Sequence, residues 1–315
     1  MFLGVDGGQS ATIALIADAS GRVLGMGRGG PCNHVGGPEG REKFLTAIRE
    51  SVGEACRNAG LDPSLARFRA ACLGFSGGPE DKRALLEQML RADELIVTTD
   101  ALIALSGATG GEPGIIAIAG TGSIAFGRNA YGRTARAGGW GYIFGDEGGA
   151  FDLVRQALRA ALRYEEGWGP PTSLHGLLLE ATESSSANQL LHRFYTTEFS
   201  RPQIARFAVL VDRAACEGDA VACEILENAA AQLAALVAAV RGQLFAPGET
   251  IRVAYIGGVF RSEILRQRFC ALVESEAGNV CGPPMYPPAA GALLEAMRAA
   301  GQRHPRLSDL PAFEK

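Results

Sequence analysis

A pattern that occurs twice limits what this chain can fold into. Residues 2–27 read as apolar strand, glycine-rich turn, apolar strand, tight turn and returning strand. "FLGV" leads into "DGGQS", "ATIALIAD" alternates, "ASGR" turns the chain and "VLGMG" comes back. The Ser20-Gly21 step is a hairpin signal. Residues 114–134, "GIIAIAGTGSIAFGRNAYGRT", repeat that order with a second turn of glycines and hydroxyls and a Gly-Arg hairpin. Two such units predict a duplicated architecture, with a turn from each half facing a shared cleft. Two unrelated hairpins would read the same way.

Between the copies, the spacing of Phe44, Ile48, Val52 and Ala55 predicts a helix over Pro38 to Asn58, with Gly60 where a C-terminal cap belongs. "RAACLGFSGG" and "ELIVTTD" read as short apolar strands around a helix from Asp81 to Leu90, an α/β alternation. After residue 150 the chain turns helical. "AFDLVRQALRAAL" carries an apolar face, and long helices are expected over Pro202 to Cys216 and Ala220 to Leu244, broken at Gly218-Asp219. "EEGWGPPTSLHG" and "ATESSSANQ" read as polar connectors. "IRVAYIGGVF" is a last strand, with a helix from Arg261 after it. "GPPMYPP" turns into a C-terminal helix.

A length of 315 residues suits two domains. A net charge of −4 with no Lys/Arg-rich run argues against nucleic acid as the partner. The first residues carry no basic stretch, and Asp6 arrives at once, unlike a secretory signal. The most apolar segment, Ala229 to Val240, falls short of the roughly 20 apolar residues a bilayer span needs and reads as a buried helix, so no membrane is expected. Seven cysteines without a CxxC pair suit a reducing cytoplasm and argue against a protein-built metal cage.

Three glycine loops follow apolar strands. In "DGGQSAT", Gly7 and Gly8 would bring amides to an anion, with Gln9 closing the turn and Ser10 and Thr12 adding hydroxyl donors. Asp6, at the strand end, is placed to hold Mg²⁺ through water. In "AGTGS", Gly120, Thr121, Gly122 and Ser123 would do the same for a second anion. In "IGGVF", Gly257 and Gly258 offer bare backbone to a flat base. Any one of these also reads as a plain turn. The order phosphate, phosphate, nucleoside makes a constellation.

Asp-Gly-Gly, "TTDA", "GTGS", "GGWGYIFGDEGG" and "GGVF", in that order over nearly the whole chain, resemble the actin/hexokinase-type ATP-binding fold. Within it the chain is similar to the N-acetylglucosamine kinase and BadF/BadG/BcrA/BcrD-type ATPase family. The resemblance implies an α/β chain of two actin-like (ribonuclease H-like) domains, each a mixed sheet flanked by helices, with a nucleotide cleft between them. Residues 1–110 with the C-terminal helix 288–315 would form one domain, and residues 111–287 the other.

The resemblance also implies ATP and Mg²⁺ as cofactors, a small-molecule sugar as substrate, a homodimer and a cytoplasmic setting. Asp100 would be the general base for the sugar hydroxyl, although an aspartate there also suits a helix N-cap. Asn33, beside His34, would bind the sugar, or else close an Asx-turn. Gly122 and Ser123 would lie near the 2-acetamido side. Gly139 would bring backbone to the ring hydroxyls, Trp140 would give a flat wall, and Asp146 would accept hydroxyl hydrogen bonds. Glu147 would cap the helix beginning near Ala150. Gln9 and Ala11 depart from the family pattern, which often has a third glycine and then a basic residue. The activity implied is phosphorylation of N-acetylglucosamine at the 6-hydroxyl, with glucosamine or N-acetylmuramic acid as alternatives. The same family also holds ATPase activators of radical dehydratases and reductases. A sugar-responsive repressor would need an added helix-turn-helix and a basic face, whereas these residues start straight into the first strand.

Overall fold

The computed structural model describes residues 1–32, 35–76, 81–196 and 198–312. The chain divides into two compact units, residues 1–113 with 284–315, and residues 114–283.

The first unit starts with the meander β1 (Phe2–Gly7), β2 (Thr12–Ala17) and β3 (Val23–Gly29). Then come α1 (Gly37–Asn58), β4 (Phe68–Phe75), α2 (Arg83–Met89), β5 (Ala92–Thr99) and α3 (Asp100–Thr109). The sheet order is β3-β2-β1-β4-β5. The meander pairs antiparallel, whereas β1, β4 and β5 run parallel.

The second unit repeats that plan. It opens with the meander β6 (Gly114–Ala119), β7 (Ser123–Arg128) and β8 (Thr134–Gly138). A helical run follows: α4 (Ala150–Glu165), α5 (Leu174–Ala181), α6 (Ala187–Tyr195), α7 (Arg201–Arg206), α8 (Ala208–Cys216) and α9 (Ala220–Leu244). β9 (Ile251–Ile256), a 3₁₀ turn (Gly258–Arg261), α10 (Glu263–Glu274) and β10 (Asn279–Gly282) complete it. Its order, β8-β7-β6-β9-β10, has the same sense as the first sheet, again with three antiparallel strands and two parallel ones. The final helix, α11 (Pro288–Ala299), returns to the first unit.

Strand alternation places these layers. Leu3 and Val5 of β1 meet Phe44 and Ile48 of α1, while Phe2 meets Leu293 and Met297 of α11 on the opposite face. Both faces of the strand are therefore apolar, and each such side chain withdrawn from water contributes about 1.5–3 kcal/mol. In the second unit α9 is long and apolar enough, by composition, to cross a membrane. Leu226, Ala230, Leu233, Val237 and Val240 are buried in the unit's single core cluster. Arg241, near the end of α9, is also buried. It reaches Glu276 at 2.8 Å, Asn279 at 2.7 Å and the Glu249 carbonyl at 2.9 Å. A buried guanidinium is tolerable only when paired in this way.

Three local expectations change. The helix expected over 202–216 is two helices that meet at Phe207, which stacks on Phe194 and lies edge-on to Phe199. The two polar connectors contribute the first turn of α5 and the start of α6, the latter capped by Ser186 through the Gln189 amide. β10 is a four-residue strand paired to β9 alone, too short to show in a pattern.

Candidate active site

In the first unit, parallel pairing brings two acids to one edge of the sheet. Asp6 lies level with Gly74 of β4, and Gly74 with Thr98 of β5, two residues before Asp100. Open α/β sheets bind ligands outside the carboxyl ends of such strands. Thr99 is the N-cap of α3, its side-chain oxygen accepting from the Leu102 amide at 3.3 Å. Asp100 is the first helical residue, exposed, with Oδ1 accepting from the neighbouring Ala101 amide at 2.8 Å. Capping therefore falls to Thr99 and leaves the carboxylate of Asp100 outward. Desolvation raises the Asp100 pKa. Asp6, half-buried, is pushed up to about 6, mainly by desolvation and further by the Asp100 charge. Asp100 is near enough for its charge to raise the Asp6 pKa, and a divalent ion held through water would offset both carboxylates.

The first turn works differently from expectation. Gly7 lies within β1, and a Cβ there would run into the Phe75 ring and Cys32. Gly8 donates to the Ala11 carbonyl at 3.0 Å. Among the described residues, the undonated amides are those of Gln9, Ser10 and Ala11, with the Gln9 and Ser10 side chains exposed. Thr12 faces inward. It is fully buried, donating to the Gly30 carbonyl (2.7 Å) with Cys32 Sγ at 2.9 Å, so it braces the turn and offers no donor to a ligand. Asn33 and His34 lie outside the described residues. A cation that sequence reasoning passed over stands near this turn. Lys82 is buried, lies 5.7 Å from the Phe75 ring, and acts on the Cys32 thiol together with Asp6.

In the second unit, the carbonyls of Gly120 and Thr121 accept from the Ala150 and Phe151 amides (2.8 and 3.1 Å), so the loop caps the start of α4. Gly120 itself donates to the Gly122 carbonyl, while the amides of Thr121 and Gly122 donate to nothing among the described residues. Asp146 closes against this loop in a left-handed conformation, φ 65°. A Cβ on Gly122 would lie 2.5 Å from its Oδ1. That carboxylate is 6% exposed, accepts from the Ser123 amide at 3.3 Å, and pairs with Arg201. Arg201, in turn, sits over the rings of Tyr142 (4.9 Å) and Phe151 (5.7 Å).

Two further expectations shift here. Ser123 is 4% exposed and its hydroxyl donates to the Glu147 carbonyl at 2.6 Å, so it fastens the 146–149 segment and is not offered to a sugar. Glu147 does not cap α4. The N-cap is Gly149, and Asp152 reaches back to the Gly148 amide at 3.1 Å. Gly139 is tied to the Ser123 carbonyl at 2.9 Å, and Trp140 is 65% exposed with the Arg136 guanidinium 4.8 Å from its ring. Gly122, Ser123, Gly139 and Asp146 thus form one cluster, with Trp140 at its rim. Arg201 belongs to it as well, although its distance in sequence gave no signal.

Gly257, at φ 117°, lies against the Ala119–Gly120 backbone, 2.6 Å from the Ala119 carbonyl carbon if a Cβ were added. Gly258 opens the 3₁₀ turn into free space and, with Gly120, lines a cavity of about 360 Å³. Two of the three glycine loops therefore share one hollow. No group of three or more His, Cys, Asp or Glu side chains able to hold a metal occurs among the described residues.

Two units of the same strand order, each with a glycine turn after its first strand and acids beside it, define a chain of the actin-like (ribonuclease H-like) ATPase fold. Over residues 3–296 it matches, and belongs to, the BadF/BadG/BcrA/BcrD ATPase family. It is 35% identical to an N-acetylmuramic acid/N-acetylglucosamine kinase of Clostridium acetobutylicum over 82% of this chain and 85% of that one. An N-acetyl-D-glucosamine kinase of Dictyostelium discoideum is 30% identical over the same shares. Among solved structures, a candidate N-acetylglucosamine kinase from Chromobacterium violaceum superposes with a TM-score of 0.70 at 29% identity, covering 93% of this chain and 97% of that one.

Proposed function

We propose that this protein is an ATP-dependent amino-sugar kinase, transferring the γ-phosphoryl group to the 6-hydroxyl of N-acetylglucosamine, with N-acetylmuramic acid and glucosamine as alternatives. The observation that carries the reading is Asp100. Its helix is capped by Thr99, which leaves its carboxylate uncommitted to the cap, and desolvation raises its pKa, the direction that suits a general base. Asp100 takes the hydroxyl proton as the sugar oxygen bonds to phosphorus, and the bond to the β-phosphate oxygen breaks to release ADP. A nucleotide-borne magnesium ion, when bound, offsets phosphate charge, and Asp6 is the residue that would hold it through water.

The undonated amides of Gln9, Ser10 and Ala11, and of Thr121 and Gly122, are suited to phosphate oxygens. Asp146, Gly139, Trp140 and Gly122 are assigned to the sugar, with Arg201 positioning Asp146 and Asn33 included from the resemblance. The homodimer and the cytoplasmic setting belong to the same proposal. The test is ADP release over N-acetylglucosamine, N-acetylmuramic acid, glucosamine, N-acetylmannosamine and glucose. Turnover with an N-acetylated amino sugar is expected. ATP hydrolysis indifferent to every sugar would sink the reading.

A further inference from the structure

The shared cavity of the second unit holds an acid that none of the glycine loops explains. Asp212 lies on α8, one turn after Ala208, and both residues line the hollow. Asp212 Oδ1 is buried and has no hydrogen-bond partner among the described residues. A buried carboxylate oxygen left unpaired is costly, and fold stability alone gives no reason to keep it. At neutral pH a carboxylate only accepts, so what it awaits is an N–H or O–H donor. It also repels phosphate. The part of a ligand that reaches it is therefore uncharged and rich in donors.

The rest of the lining agrees. Leu153, Val209, Leu226 and Val259 give apolar walls, and about 360 Å³ falls in the ~300–1,000 Å³ range of small-molecule pockets. Arg206 and Arg261 line the cavity too, both exposed, and neither makes an ion pair or hydrogen bond among the described residues. A guanidinium stacks on a flat ring and pairs with phosphate. Gly120, at another point of the lining, leads directly into the undonated amides of Thr121 and Gly122. One hollow thus holds two exposed guanidinium groups and a carboxylate in want of a donor, and its Gly120 is followed in the chain by the free amides of Thr121 and Gly122. That sequence of chemistries matches a nucleoside triphosphate.

We infer that Asp212 accepts a hydrogen bond from the nucleoside, from either the exocyclic amine of the base or a ribose hydroxyl, and so sets which nucleotide the enzyme uses. The inference rests on the kinase reading and adds to it a residue that discriminates among phosphoryl donors. Calorimetric binding and KM are measured for ATP, purine riboside triphosphate, 2′-deoxyATP and 3′-deoxyATP with the wild-type chain, Asp212→Ala and Asp212→Asn. The wild type should bind ATP roughly ten- to a hundredfold better than the one analogue that lacks the donor Asp212 meets, the analogue identifying base or ribose. Asp212→Ala should bind ATP and that analogue alike, with an unchanged KM for the sugar, and should melt no lower than the wild type. Asp212→Asn, which keeps an acceptor, should retain part of the preference. A wild type that treats all four nucleotides equally, or an Ala variant with the preference intact, overturns the inference while leaving the kinase standing. Failure of the wild type to bind any nucleotide would bring down both.

Discussion

Gly257→Ala compared with Gly258→Ala tests whether the third glycine loop is built by close backbone approach. At position 257 the added Cβ would stand 2.6 Å from the Ala119 carbonyl carbon and 3.1 Å from the Gly120 amide, nearer still to the Ala119 oxygen. Ordinary carbon–carbon contact is about 3.5 Å or more, so the end of β6 must retreat by roughly 1 Å. The backbone adds to this, because φ 117° is a region that L side chains rarely occupy, at about 1–3 kcal/mol. Overpacking adds about another 1–3 kcal/mol. Together the substitution should cost about 2–6 kcal/mol. At position 258 the same methyl meets open space and an ordinary φ, and the expected change in stability is within about 0.5 kcal/mol. Because the retreating segment carries Gly120 and Thr121, Gly257→Ala should also weaken ATP use by about 10²-fold, since a 1 Å misplacement can cost that much. Sugar binding, measured by calorimetry without nucleotide, should move far less. Urea unfolding of both variants with KM for ATP and sugar decides it. If Gly257→Ala unfolds with the wild type, or Gly258→Ala loses as much stability, the packing argument is wrong.

The other expectations are shorter. Asp100→Asn should lower turnover by about 10²–10⁴ while calorimetric sugar binding persists; near-normal turnover would remove Asp100 from catalysis. Asp146→Ala should raise the KM for the sugar far more than that for ATP, and Arg201→Met should do the same more mildly, since it removes the ion-pair partner of a buried carboxylate that keeps its Ser123 amide. Equal effects on both substrates would contradict the assignment to the sugar. In EDTA, Asp6→Asn should be more stable than the wild type at pH 8 and equal to it near pH 4. The native Asp6 holds its proton up to about pH 6 against 3.8 for an ordinary aspartate, so its contribution is full below pH 4 and fades as pH rises through 6. A shift of that size corresponds to at most about 3 kcal/mol. A variant less stable than the wild type at pH 8 would reverse the inferred sign.

What could be read from residues alone was whatever is encoded by near neighbours. The duplicated meander was legible because alternation and turn chemistry are local, and both sheets follow it. The apolar α9 was legible as a core helix, and Thr99-Asp100 as a helix start, for the same reason. The glycine loops were found, although not which of their groups are free. Thr12 and Ser123 looked like ligand donors, but Gly30 and Glu147, 18 and 24 residues away, take their hydroxyls inward. Tertiary packing decided that. It also split the 202–216 helix at Phe207 by seating its ring against Phe194 and Phe199. Arg201 reached Asp146 across 55 residues, and Asp212 came to share a hollow with Gly120 and Gly258. Local pattern selects elements and turns because their energies depend on adjacent residues. Whether a polar atom faces a ligand or the core depends on which distant backbone group arrives beside it, and only the packed chain settles that.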